Sequence, residues 1–142
     1  MSKKFSYSIL TYRHSLFLGE VINIGILFVF PDEHLVEFHY PKRLNRIHGL
    51  YTNFNETLIK DYLKSFEKKS RNLHQQLDQY LFGFNDILSD HFIVEDASAL
   101  QFSGFRSAVY HKTEVEVCEQ YYNLILGDYN AEVIKTKHSL LD

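Results

Sequence analysis

Glu20 and Asn23 interrupt an otherwise apolar stretch that runs on to Phe30, and Gly25 follows two residues later. Carboxylate and amide side chains are depleted from central strands, so their presence there asks for a reason. Glu20 can titrate or accept hydrogen bonds. A buried Asn23 needs partners for its amide. The functional reading makes this pair the edge of a small pocket. The structural reading has Asn23 tying down a neighbouring loop, with Gly25 on the same face leaving room for a helix.

Tyr12, Arg13 and His14 stand just before this stretch. A hairpin brings Arg13 or His14 towards Glu20. The result is an exposed ion pair of little energetic consequence, or an acid–base pair, because imidazole titrates near neutral pH. Arg43 and Arg46, with His48 beside them, and Arg106 further on carry guanidinium forks that suit carboxylate or phosphate. Without a glycine-rich phosphate loop their plainer reading is a solvated helix face. The binding candidates are therefore Tyr12, Arg13, His14, Glu20, Asn23, Arg43, Arg46 and Arg106.

No catalytic residue is assigned, because the chain has no G-x-S-x-G, Walker or G-x-G-x-x-G pattern. The eight histidines form no H-x-x-x-H or H-E-x-x-H spacing. His34 and His39, five residues apart, point to opposite faces of a strand. Cys118 is the single cysteine, which excludes an intrachain disulfide and a multi-cysteine zinc site. It reads as a small core residue, and no metal or cofactor is expected.

The elements that must position these residues follow from periodicity. Residues 5–13 alternate Phe5, Tyr7 and Ile9 with Ser6 and Ser8, the period of a strand. Residues 20–30 are apolar on both faces, as in a central strand covered on both sides. After a Pro31-Asp32-Glu33 turn, residues 34–40 complete an antiparallel three-strand meander. Residues 41–47 read as a short basic helix with Pro41 in its first turn. A long helix follows Asn53-x-x-Glu56, with apolar residues from Leu58 to Leu81 at helical spacing and a break near Ser70. Its Lys68-Lys69-Ser70-Arg71 run reads as a solvated face. Residues 91–95 and 99–105 read as two further strands around an Asp96-Ala97-Ser98 turn. Thr113-x-x-Glu116 is a capping box opening a C-terminal helix that stops at Gly127, and residues 131–142 are a short last element or a frayed tail. The expectation is one α+β domain over 1–142: an antiparallel sheet packed against the long central helix and the C-terminal helix.

Composition bounds the function classes. A chain of 142 residues fits one compact domain, and 12 Phe and 10 Tyr fill much of its core. A net charge of −3 disfavours nucleic-acid binding, which calls for a basic excess. The longest apolar run, residues 21–30, is too short to span a membrane, and the N-terminus lacks the pattern of a signal peptide. A cysteine-poor chain with a free thiol suits the cytoplasm.

Tyr7, Tyr12, Gly19-Glu20, Asn23 and Gly25 together form a pattern: a strand with spaced tyrosines, then Gly-Glu, then Asn-x-Gly in an apolar strand. In this the chain resembles the bacterial domain-of-unknown-function family numbered 3037. The connection that often carries proline in such proteins is His14-Ser15-Leu16-Phe17-Leu18 here. The resemblance implies a small bacterial protein, stand-alone or encoded beside kinases resembling the HipA toxin. It thereby implies a protein partner, a HipA-like kinase among the candidates, or a homodimer. Two functions are expected from the whole reading. The first is a non-catalytic interaction or regulatory domain that binds a protein partner in a toxin- or defence-type system, supported by abundant surface tyrosines. The alternative is a small enzyme or ligand-binding domain for a phosphate-bearing or nucleotide ligand at a Glu20/Asn23 pocket.

Overall fold

The computed structural model describes residues 3–14, 21–45, 47, 55–80, 83–92 and 99–141, without the side chains of 128 and 130–141. Strands β1 (Lys3–Tyr12), β2 (Ile22–Phe30) and β3 (Leu35–His39) form the expected antiparallel meander. Strands β4 (Leu100–Phe102) and β5 (Arg106–Tyr110) return to the far side of β1, β4 beside Leu10–Tyr12 and β5 beside Lys3–Tyr7. The sheet order is β3-β2-β1, with β4 and β5 sharing the last place.

Both faces of this sheet are covered. On one face Phe5, Tyr7 and Phe28 meet Tyr121 of the C-terminal helix α3 (Glu114–Leu141), Phe5 and Tyr7 at ring separations of 5.1 and 5.0 Å. On the other, Phe38 and Phe102 meet Phe66 of α1 (Glu56–Asn72) at 5.7 and 5.4 Å, with Phe92 closing the group. Such edge-on aromatic pairs add about 0.5–1.5 kcal/mol each beyond their buried area. The α+β class, the meander and the two covering helices all follow the periodicity of the sequence.

The alternation in β1 hides two buried serines rather than a wet face. Ser6 is hydrogen-bonded to Ser107 through their hydroxyls at 2.9 Å, and the Ser8 hydroxyl donates to the Ser103 carbonyl at 2.6 Å. Ser103 sits in the gap between β4 and β5. Its amide donates to the Ile9 carbonyl and its hydroxyl accepts from the Ile9 amide, both at 2.9 Å. A side chain thus carries the ladder across the break.

Asn23 and Gly25 do not share a face. Gly25 pairs with Leu10 while Asn23 pairs with Thr11, so one extra residue is bulged into β2 and the phase of its side chains flips. A Cβ on Gly25 would lie 2.6 Å from Cζ of Phe38. Gly25 therefore makes room for a ring from the next strand, not for a helix.

Other boundaries also differ from the sequence reading. Asn55, not Asn53, caps α1, its side chain accepting from the Leu58 amide at 3.1 Å. The helix ends at Asn72, and the apolar stripe continues through 3-10 turns at Leu73–Gln75 and Leu77–Tyr80. His91 ends a short helix α2 (Asn85–His91) instead of opening a strand, and residues 93–98 lie outside the described residues. The strand read at 99–105 is only three residues long, and β5 follows it. Asn45 and Ile47 are helical, but Pro41 to Leu44 are not, so the basic residues 42 and 43 precede the helix. In the lysine run, Ser70 is buried and Arg71 pairs with Glu67.

The N-cap half of the α3 capping box forms, the Glu116 amide donating to Oγ1 of Thr113 at 3.2 Å, while the Glu116 carboxylate accepts from the Thr113 hydroxyl rather than from its amide. The helix does not stop at Gly127, because Leu126 and Tyr129 on either side of it are buried and hold the next turn to the sheet. No helix among the described residues is long and apolar enough to cross a membrane.

Candidate functional site

The chain leaving β3 is pinned by its apolar members. Pro41, Leu44 and Ile47 are buried, which turns Lys42 and Arg43 outwards. Facing them, α3 presents Tyr122 and Tyr129, seven residues apart and so on one side of the helix. Between the two segments lies a cavity of about 370 Å³ lined by Tyr40, Pro41, Lys42, Arg43, Asn45, Tyr122 and Tyr129. That volume is in the range of small-molecule sites, roughly 300–1,000 Å³.

Tyr129 locks the walls together. Its hydroxyl donates to the Asn23 carbonyl at 2.8 Å, and its own carbonyl accepts from Nδ2 of Asn45 at 3.2 Å. Asn45 is left with Oδ1 buried and without a hydrogen-bond partner among the described residues. An orphan acceptor of this kind costs about 1–3 kcal/mol, and its burial puts the oxygen out of reach of solvent. Burial raises the pKa of Tyr122, and burial together with the nearby Glu67 carboxylate raises that of Tyr40. Both phenols are therefore neutral donors at physiological pH. The described lining holds no carboxylate, imidazole or thiol, so its groups suit recognition rather than proton transfer.

The pattern of a family described as protein of unknown function (DUF3037) matches residues 7–124. The chain belongs to the DUF3037 family. No curated protein and no solved structure matches it. The DUF3037 span takes in β1 from Tyr7 onward, β2 to β5, and every residue of the cavity except Tyr129.

Within this DUF3037 chain the residues singled out from sequence fall into separate places. Arg43 lines the cavity, and Asn23 reaches its wall through the backbone carbonyl that Tyr129 holds. Tyr12 is buried and hydrogen-bonded through its hydroxyl to Nδ1 of His14 at 2.8 Å. The Arg13 amide donates to the Ala99 carbonyl at 2.7 Å, and its Nε is buried without a partner among the described residues. Arg106 is exposed on β5 opposite Tyr7, five positions along β1 from Tyr12 and so roughly 17 Å away. Glu20 and Arg46 lie outside the described residues, as does His48.

Lys42, Asn45, Tyr122 and Tyr129 were not singled out from sequence. The signal for the two tyrosines was their seven-residue spacing, hidden by ending the helix at Gly127. Glu37 was also passed over, and His39 was weighed only against His34. Glu37 and His39 are two residues apart on β3, hence on one face, and meet Cys118 of α3 there.

Proposed function

We propose that this DUF3037 protein is a non-catalytic regulatory domain that binds a nucleotide or similar phosphate-bearing small molecule in the Tyr40–Tyr129 cavity. The supporting observation is one coincidence: two exposed cations, Lys42 and Arg43, on the lining of a cavity walled by the rings of Tyr40, Tyr122 and Tyr129. The cations suit phosphate oxygens, Arg in a bidentate fork. The rings of Tyr40 and Tyr122 offer flat apolar surface to a base.

Docking to a protein partner, whether a kinase or a second copy, has less behind it. Of its sequence support, the abundant surface tyrosine is weakened, since every described tyrosine is half-buried or buried. Tyr51 lies outside the described residues.

The test is a thermal-shift and calorimetric screen of the full chain with ATP, ADP, AMP, GTP and GMP. A ligand that binds only the native state raises the melting temperature, equivalent to about 2.7 kcal/mol at a hundred times its Kd. One of the five should do so, and the Lys42→Ala/Arg43→Ala variant, altered only at exposed positions, should bind it about tenfold or more weakly. If none shifts the transition, or if the shift survives the double substitution, the reading fails.

A further inference from the structure

We propose that Glu37, His39 and Cys118 form a divalent-metal site of the zinc class, with Oε2, Nε2 and Sγ as three ligands and the fourth position open to solvent. The inference does not rest on nucleotide binding.

The geometry comes first. The three ligand atoms lie within 4.8 Å of one another. Oε2 of Glu37 is 3.0 Å from Nε2 of His39 and 3.4 Å from Sγ of Cys118. Around a tetrahedral zinc, with Zn–N and Zn–O near 2.0 Å and Zn–S near 2.3 Å, ligand atoms stand about 3.3–3.6 Å apart. Two of the three separations are thus already close to those of a bound ion.

Rigid elements hold the ligands. Glu37 and His39 are fixed by the pairing of β3 with β2, opposite Phe28 and Ile26. The His39 ring stands edge-on to Phe28 at 5.5 Å, which sets its plane. Cys118 is buried in the first turns of the capped helix α3, beside the buried Val117. The side chains of Glu37 and His39 are 38% and 37% exposed, so water and ions reach the cluster from outside.

The chemistry of the set agrees. One thiolate, one imidazole and one carboxylate are the N/S/O mixture that zinc accepts, and a three-ligand site leaves its fourth position for water or a further ligand. The hydrogen bonds now seen are those the same groups make without an ion: the thiol donates to the carboxylate, and imidazole and carboxylate share a proton contact. Burial, then the Glu37 charge, pushes the Cys118 thiol up, so the uncharged thiol persists in the metal-free protein. A cation placed between the three groups reverses that balance, taking the thiolate as ligand and releasing the proton to solvent.

The experiment uses the full chain stripped with a chelator, then titrated with Co2+ alone and with Zn2+ alone. One equivalent of Co2+ should produce a thiolate-to-metal charge-transfer band in the near ultraviolet and visible bands of a four-coordinate ion, and Zn2+ should displace it. His39→Gln and Glu37→Gln, at partly exposed positions, should each weaken binding about tenfold or more. Cys118→Ser should abolish the charge-transfer band. Circular dichroism establishes that each variant is folded, and if the serine variant is not, the two exposed-site variants decide the matter. Lys42→Ala/Arg43→Ala should leave metal binding unchanged. Absence of the band at one equivalent, or an affinity unaltered in His39→Gln and Glu37→Gln, overturns the proposal.

Discussion

Tyr80 has two hydrogen-bond partners on α2. Its hydroxyl donates to Oδ2 of Asp90 at 2.8 Å and lies 2.9 Å from Nε2 of His91, tying the turn after α1 to the next helix. Burial, then the bond to Asp90, pushes its pKa up to about 12. The folded value is above the unfolded one near 10, so this phenol's stabilisation is complete below pH 10 and is lost as pH rises through 12. Tyr80→Phe should lower stability at pH 8 by about 0.5–1.5 kcal/mol. The gap to the parent should then close as pH is raised from 10 towards 12, measured by urea denaturation at each pH. A gap constant with pH contradicts the assignment. Among single residues, Arg43 was legible as a candidate because an arginine fork in a polar segment stands out in sequence. Asn45 was not, since its place on the cavity wall comes from the bond of Nδ2 to the Tyr129 carbonyl, eighty-four positions on. Only packing creates that contact. The Glu37–His39–Cys118 group was illegible for a related reason: two of its members are adjacent on a strand face, but the third arrives from a helix eighty-one positions on.

At the level of elements, α3 shows how local signals and packing compete. The Thr113-x-x-Glu116 start was readable because cap chemistry is local, and Thr113 caps the helix as read. Gly127 reads equally well as a stop, but the apolar contacts of Leu126 and Tyr129 override the roughly 1 kcal/mol that glycine costs a helix. A Cβ at Gly127 meets nothing within 4 Å among the described residues. Gly127→Ala should therefore stabilise the protein by about 0.4–1 kcal/mol, raising the urea midpoint without changing the slope. A lowered midpoint would mean that the helix does not run through this position. The bulge in β2 left no trace in the sequence for the opposite reason. With apolar residues on both faces, a one-residue phase slip changes no hydrophobic pattern. The break between β4 and β5 was equally hidden, since Ser103 supplies by its side chain what the backbone fails to pair.

For the molecule as a whole, the sheet's centre was readable and its edges were not. Strand β2 announces itself by length and apolarity, whereas β5 carries Arg106, Ser107 and an exposed Val109 and looks like loop. Among the described strands, β1 and β2 are paired on both sides, while β3 and β5 each have one neighbour. Amide hydrogen exchange should accordingly be slowest in β1 and β2 and measurably faster in β3 and β5, because edge strands open at lower free energy than the centre. Equal protection across all four would imply that an edge is covered in solution.

The pairing of Lys3 with Tyr110 also bears on synthesis. Strand β1 is made before β2 and can fold against it at once, but its other flank must wait until residues 100–110 have been translated. For most of that interval the nascent protein exposes a raw strand edge and the ring of Phe5, which later rests on Tyr121. Contacts closed so late slow folding and invite aggregation. A ribosome stalled before Tyr110 would therefore hold a client for chaperones rather than a half-built domain.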